Sequence, residues 1–211
     1  MKISVITPSI RPEGLKATQE TLETQTFSEF EWLVEMSLTN KQGSDLNAAY
    51  NRAIKRAKGE LIVSLQDYTK IMPDGLQKFW DAHQKEPAFY TAPLGKVSKW
   101  DDDPVFDWRK SREKECNWQE WEIDWGSAPR QALVDIGGFD EELDSYWGFD
   151  NVNVGLRANM AGWKFYNIPD NLSIALDHNA FMDHPHKVKR NPDFHNDRLD
   201  CFRHGGTIAY I

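Results

Sequence analysis

Residues 136–163 read IGGFDEELDSYWGFDNVNVGLRANMAGW, and this segment carries more information than any other of its length in the chain. Gly137 and Gly138 mark a turn, an acidic run follows, and Tyr146, Trp147 and Gly148 precede the carboxylate of Asp150. From there Val152, Leu156 and Met160 recur at i, i+4 and i+8, one apolar face of a helix that Gly162 can end. Asp150 then falls at or near the helix N-terminus, where unpaired amides and the positive end of the dipole favour a carboxylate. Tyr146 and Trp147 set a flat apolar surface beside that fixed charge. The combination suits a sugar ring bound by its face while the carboxylate handles one of its hydroxyls. A helix cap beside two core aromatics would give the same letters, so the remainder of the chain has to decide.

The N-terminal half alternates strands with helices. Lys2 to Thr7 (KISVIT) is an apolar run stopped by Pro8, as for a buried strand opening a parallel sheet. A loop with Ser9, Arg11 and Pro12 leads to a helix predicted from Glu13 to Thr24. Glu31 to Met36 (EWLVEM) is the second predicted strand and carries Glu35 near its end. After a polar loop, Asp45 stands as an N-cap. Leu46, Ala49, Tyr50, Ala53, Ile54 and Ala57 then follow the 3.6-residue period as far as Gly59. Leu61 to Leu65 (LIVSL) is a third buried strand running into Gln66-Asp67-Tyr68, and Pro73 opens a helix through Trp80 and His83. Such alternation with short loops implies a mostly parallel central sheet with right-handed crossovers, flanked by helices. Ligands in these sheets bind beyond the carboxyl ends of the strands. Arg11, Glu35 and Asp67 all fall there. Each alone reads as a surface charge; their shared location is the informative part.

From Ala88 the pattern changes. Phe89 to Leu94 is strand-like, and Gly95 to Asp124 mixes both signs of charge with Trp100, Trp108, Trp118 and Trp121. That segment is too polar for a core and too aromatic for a linker. An active-site flap or acceptor groove and a surface meander pinned by tryptophans both fit it. A short helix over Arg130 to Asp135 precedes the glycine turn, and Lys164 to Ile168 is a last predicted strand. The tail then holds five of the six histidines, among them His178 in Asp177-His178. An imidazole there, with Asp67 as carboxylate partner, suits an open site for a divalent ion that also holds phosphates, whereas the spacing of a closed structural zinc site is missing.

Composition narrows the class. The chain has 211 residues, 40% hydrophobic and 27% charged, with a formal net charge of -8, which argues against a surface that coats nucleic acid. Cys116 and Cys201 have no framework spacing, no run reaches membrane-span length, and Ile3 to Ile6 is too short for a signal-peptide core. A cytoplasmic protein of one domain is expected.

The order of these features resembles a glycosyltransferase of the GT-A fold, closest to family 2, over most of the chain. ISVITPSIRPEGLKATQETLETQTFSEFEWLVE is similar to that family's first strand, helix and second strand, and DLNAAYNRAIKRAKGELIVSLQDY to its run into the metal-binding D-x-D motif. GGFDEELDSYWGFDNVNVGLRANMAGW resembles the acceptor and catalytic-base segment, which in galactosyltransferase-like members reads GGFDE…WGxED and then an arginine. The resemblance implies an inverting, metal-dependent transfer of a sugar from a nucleotide-sugar, a UDP-sugar, to a hydroxyl acceptor. It implies nucleotide-sugar binding at Thr7, Pro8, Arg11, Glu35 and Asp67, in a half spanning residues 1–94. It also implies Mn²⁺ or Mg²⁺ at Asp67 and His178, an acceptor wall at Tyr146, Trp147 and Gly148 in the half spanning 95–211, and Asp150 as base. Two departures stand out: the D-x-D motif is reduced to Gln66-Asp67-Tyr68, and the Glu-Asp pair becomes Asp150-Asn151. They keep a second expectation open, a GT-A scaffold that binds a glycan or nucleotide without turnover. A nucleotidyltransferase would share the sheet, but no glycine-rich, basic phosphate loop follows the first strand.

Overall fold

The computed structural model describes residues 1–10, 12–36, 45–112, 115–144, 148–176 and 192–211. Its frame is a six-stranded sheet in the order β2-β1-β3-β8-β5-β9. The strands are β1 (Ile3–Ser9), β2 (Phe30–Met36), β3 (Leu61–Leu65), β5 (Phe89–Thr91), β8 (Trp125–Pro129) and β9 (Phe165–Asn167). β1 runs parallel to β2 and β3, and β5 parallel to β9, while β8 runs antiparallel between β3 and β5. A smaller sheet, in the order β4-β10-β6-β7, joins β4 (Thr69–Ile71), β6 (Leu94–Val97), β7 (Val105–Phe106) and β10 (Ser173–Leu176).

The apolar strand runs are explained by cover on both faces. Odd positions of β1 and β3 (Ile3, Val5, Leu61, Val63, Leu65) pack with Leu22 of α1 (Leu15–Glu23) and with Leu76, Phe79 and Trp80 of α3 (Gly75–Lys85). Even positions (Ile6, Ile62) join the opposite core. There they meet Tyr50, Ala53 and Ile54 of α2 (Leu46–Arg56), Ala132 and Leu133 of α4 (Arg130–Asp135), and Val154 and Ala158 of α5 (Asp150–Met160). A period of two is thus hidden inside a continuous hydrophobic run. α6 (Pro192–Arg203) closes the described elements and packs Leu199 and Phe202 on Leu156.

α5 starts at Asp150 as expected, but its core face differs from the predicted one: Val154 and Ala158 enter the main core and Leu156, with Val152, packs on α6, whereas Met160 is 53% exposed. Two glycines of the 136–163 segment are required by close approach. Gly138 sits at φ +83°, and a Cβ there would lie 2.5 Å from Asn51 Oδ1. Gly155, midway along α5, faces the backbone of Trp118, whose carbonyl oxygen would be 2.3 Å from an added Cβ. Gly155→Ala must therefore push α5 off its seat. It is expected to cost about 1–3 kcal/mol in chemical denaturation, and an unchanged midpoint would mean that α5 does not seat on the 118–120 turn in solution.

The 95–124 segment is pinned by tryptophans. Trp121 is buried, donates from Nε1 to the Tyr90 carbonyl at 3.1 Å and meets Phe89 edge-on at 5.2 Å. Trp125, at the head of β8, is fully buried and donates to the Asn171 carbonyl at 2.9 Å. Among the described residues no helix is long and apolar enough to cross a membrane.

Candidate active site

The carboxyl ends of β1 and β3 lie on one rim of the sheet, and the N-termini of α2 and α5 are tied together beside it. Thr7 and Pro8 are the fifth and sixth residues of β1, buried, with the Thr7 hydroxyl accepting from Trp32 Nε1 at 2.9 Å. Pro8 stands in register with Glu35 on β2. Glu35 is held by two guanidinium groups, Arg52 at 3.1 Å and Arg56, so its carboxylate braces β2 against α2. Asp67 follows β3, only 6% exposed, and accepts from Ser9 Oγ at 2.7 Å. The next residue, Tyr68, takes φ +56°, an uncommon conformation for a non-glycine residue, as the chain leaves the rim.

On the other side, Gly148 at φ +87° and Phe149 at φ +70° turn the chain into α5. Asp150 is the first residue of that helix. It is 7% exposed and accepts from Asn47 Nδ2 at 2.7 Å. Asn47 lies in the first turn of α2, and its amide, with that of Ala48, points at Asp144 at 2.7 and 3.1 Å. Asp144 therefore satisfies the free amides at the start of α2, as the dipole favours. Asp45, which the sequence suggested for that duty, instead accepts from Arg52 at 2.9 Å. The N-termini of α2 and α5 are thus bound together through Asn47. One turn on, the buried Tyr50 hydroxyl shares a 2.6 Å hydrogen bond with Ser64 Oγ. Burial first, and then the charges of Asp124, Asp150 and Asp67, push its ionisation far above the usual phenol range. The same hydroxyl lies 3.4 Å from the Ile123 carbonyl, and the next residue, Asp124, receives the Gln66 amide on its own carbonyl, which ties α2 to the turn that carries Asp67.

The electrostatics of this rim are unusual. Burial raises Asp150 to about 7, against the pull of Asn47; it raises Asp144 to about 6 and Glu122 to about 7. Each group binds its proton more tightly folded than unfolded, so the folded state holds more protons between roughly pH 4 and 7. Stability linked to these three groups is full below the unfolded values near 4 and is lost as pH rises through 6–7. Thermal unfolding in the absence of ligand is accordingly expected to shift upward as pH is lowered from 8 to 5.5. A midpoint that falls over that interval would show that these carboxyls are solvated.

Of the residues singled out in the sequence, Thr7, Pro8, Glu35, Asp67, Gly148 and Asp150 are described; Arg11, Tyr146, Trp147 and His178 lie outside the described residues. Among the described residues no three His, Cys, Asp or Glu side chains form a group able to hold a metal ion. Sequence reasoning passed over Asn47, Asp144, Glu122 and Asp124. Asn47 had one visible signal, a polar residue in the first turn of an otherwise apolar-faced helix. Asn151, in the position where the resemblance expects a carboxylate, donates to the Trp121 carbonyl at 2.7 Å and to Glu122 Oε2 at 3.1 Å.

This architecture is shared with solved structures. S. aureus TarS 1-349 in complex with UDP superimposes with a TM-score of 0.66 at 18% identity, covering 86% of this chain and 62% of that one. The complex with UDP-GlcNAc gives 0.68 at 16% identity, covering 94% and 64%. The chain thus spans somewhat under two thirds of those TarS structures, and the likeness is one of fold. No family model and no curated protein matches the sequence. The mixed α/β architecture expected above, a mostly parallel sheet flanked by helices, is the one found.

Proposed function

We propose that the chain is a glycosyltransferase module that takes a nucleotide-sugar, a UDP-sugar, at the β1–β3 rim and transfers its sugar to a hydroxyl acceptor with inversion. The observation that carries this reading is the fold, shared with a protein crystallised with UDP and with UDP-GlcNAc, on which the buried Asp67 follows β3 and the buried Asp150 begins α5. Asp150, titrating near neutrality, is suited to accept the proton of the incoming hydroxyl; Asn47 fixes which oxygen is turned to the acceptor. One direct displacement inverts the anomeric centre, with the nucleoside diphosphate leaving. Asp67, braced by Ser9, faces the diphosphate side. Mn²⁺ or Mg²⁺ would neutralise the leaving diphosphate when bound. The described residues do not form a complete ligand set for it, and Asp67 with His178 stands as the proposed site.

Titration calorimetry with UDP and a panel of UDP-sugars, with and without chelator, tests the donor side. With Mn²⁺ or Mg²⁺ present, Asp67→Ala is expected to weaken UDP by about tenfold or more, because the carboxylate would hold the ion that offsets the diphosphate charge, and chelator should erase the difference. If no nucleotide binds the unmodified chain, the reading is wrong. The burial of Asp150 and the reduced Gln66-Asp67-Tyr68 motif favour one second reading, a binding module without turnover. Tight nucleotide binding with no release of nucleoside diphosphate over hours would select it.

A further inference from the structure

Beside the rim lies a cleft of about 510 Å³ formed by Trp108, Ser111, Arg112, Gln119, Glu120 and Glu122. We propose that this cleft binds the acceptor, and that the acceptor is a neutral glycan whose ring stacks on Trp108. The inference rests on the glycosyltransferase reading and adds to it the class of the second substrate.

Position is the first argument. Glu122 lines the cleft and accepts from Asn151, the residue next to Asp150 at the start of α5. Two residues further on, the Asp124 carbonyl receives the amide of Gln66, immediately before Asp67. The cleft is thus linked by one hydrogen bond to the start of α5 and, through Asp124, to the turn that carries Asp67.

The second argument is the lining. Trp121 and Trp125 are buried, whereas Trp108 is 41% exposed, on a segment whose other tryptophans hold it to the core. Its ring is braced: the Arg112 guanidinium lies over it, 5.5 Å from the centroid, and is itself tied to Glu120 at 2.7 Å. A rigid aromatic surface flanked by hydroxyl, amide and carboxylate groups matches a pyranose, which offers an apolar C–H face and a rim of hydroxyls. The volume falls in the range of about 300–1,000 Å³ usual for small-molecule sites.

Charge decides between acceptor classes. Among the described residues of the lining, Glu120 neutralises Arg112, the one cation there, and Glu122 can add only negative charge. Among the described residues, a phosphate-bearing acceptor would meet no unpaired cation in this lining and at least one carboxylate. An uncharged saccharide meets hydrogen-bond partners alone.

The test uses the full chain. UDP and UDP-GlcNAc affinities are measured first, then binding of a panel of neutral oligosaccharides by tryptophan fluorescence, then transfer kinetics. Trp108→Ala is expected to raise KM for a neutral saccharide acceptor on the order of tenfold. UDP affinity should stay unchanged, kcat should move little, and Trp108→Phe should recover most of the loss. If nucleotide binds but no neutral oligosaccharide does, or if only phosphate-bearing acceptors are used, the acceptor inference is overturned while the donor reading stands. Equal KM for wild type and Trp108→Ala overturns it too. If no nucleotide binds, the donor reading fails and takes this inference with it.

Discussion

Asp150→Asn is expected to abolish sugar transfer and, above neutral pH, to make the protein harder to unfold. The two effects share one cause. A carboxylate within hydrogen-bond reach of the acceptor contributes about 10²–10⁴ in rate, so transfer should fall by that factor. The same carboxylate is 7% exposed, and burial raises it to about 7. At pH 8 it is ionised in a site that disfavours the charge, and the folded state bears that cost. Asparagine keeps the shape and still offers an oxygen to Asn47 Nδ2, now without the charge. A gain of about 1–2 kcal/mol is expected at pH 8, which for a chain of this size is a rise in Tm of about 2–8 °C. The gain should shrink as pH falls toward 4, because the wild-type carboxyl then takes up its proton. Parallel melting curves at pH 8 and pH 5, with a transfer assay, check both halves. Retention of more than about a tenth of the activity would remove Asp150 as base, and an unchanged Tm at pH 8 would mean that the carboxylate is hydrated in solution.

What could be read from the letters follows from which interactions are local. The helical period around Tyr50 and Ile54, the apolar runs of β1 and β3, and the start of α5 at Asp150 depend on neighbours a few residues away, and each emerged near its predicted place. β8 did not. Its letters, WGSAP, contain no β-branched residue and include a glycine and a proline. It is a strand because β3 and β5 leave a gap that accepts an antiparallel chain, with Leu65 opposite Trp125 and Tyr90 opposite Ser127. Gly126 is needed there because a Cβ would lie 2.3 Å from the Glu122 carbonyl. The smaller sheet was equally hidden, since Ser173 of β10 meets Ile71 of β4 and Leu94 of β6 only in the fold, far apart in the chain, and its members are two to four residues long. The site divides the same way. Asp67 and Asp150 could be picked out because chain geometry puts strand ends and helix starts on a rim. Asn47 and Asp144 could not, since their meaning lies in a contact spanning 97 residues. Glu35 shows the converse. Its position at a strand end was legible, but the two arginines that occupy its carboxylate come from α2 and are visible only in three dimensions.

Arg109→Met is expected to cause the largest loss of stability of any single change considered. Arg109 is 2% exposed. Its guanidinium reaches Asp124 through two nitrogens at 2.8 and 2.9 Å, Asp107 from Nε at 3.0 Å and the Thr91 hydroxyl at 3.0 Å. Burial alone would lower its pKa, yet Asp124 and then Asp107 outweigh burial and raise it. Methionine fills similar volume but leaves two carboxylates facing each other without a cation. Breaking a buried pair from one side costs about 3–5 kcal/mol, which here corresponds to a fall in Tm of about 6–20 °C. Lysine should recover only part of this, because one ammonium cannot reproduce the planar fork that serves Asp124 and Asp107 together. The damage should also reach the rim. Asp124 accepts from the Trp125 amide at 2.7 Å and its carbonyl receives Gln66, so the turn carrying Asp67 is anchored through the same residue. With Arg109 gone, Asp124 and Glu122 lose the charge that offsets their mutual repulsion, and Glu122 should hold its proton to still higher pH. Adding Asp124→Asn to Arg109→Met removes one of the stranded charges and is expected to restore part of the loss. Urea denaturation of the two single variants and the double variant measures this coupling directly. A cost for Arg109→Met below about 1 kcal/mol, or a double variant no more stable than the single one, would show that this ion cluster does not hold the 95–124 segment to the sheet.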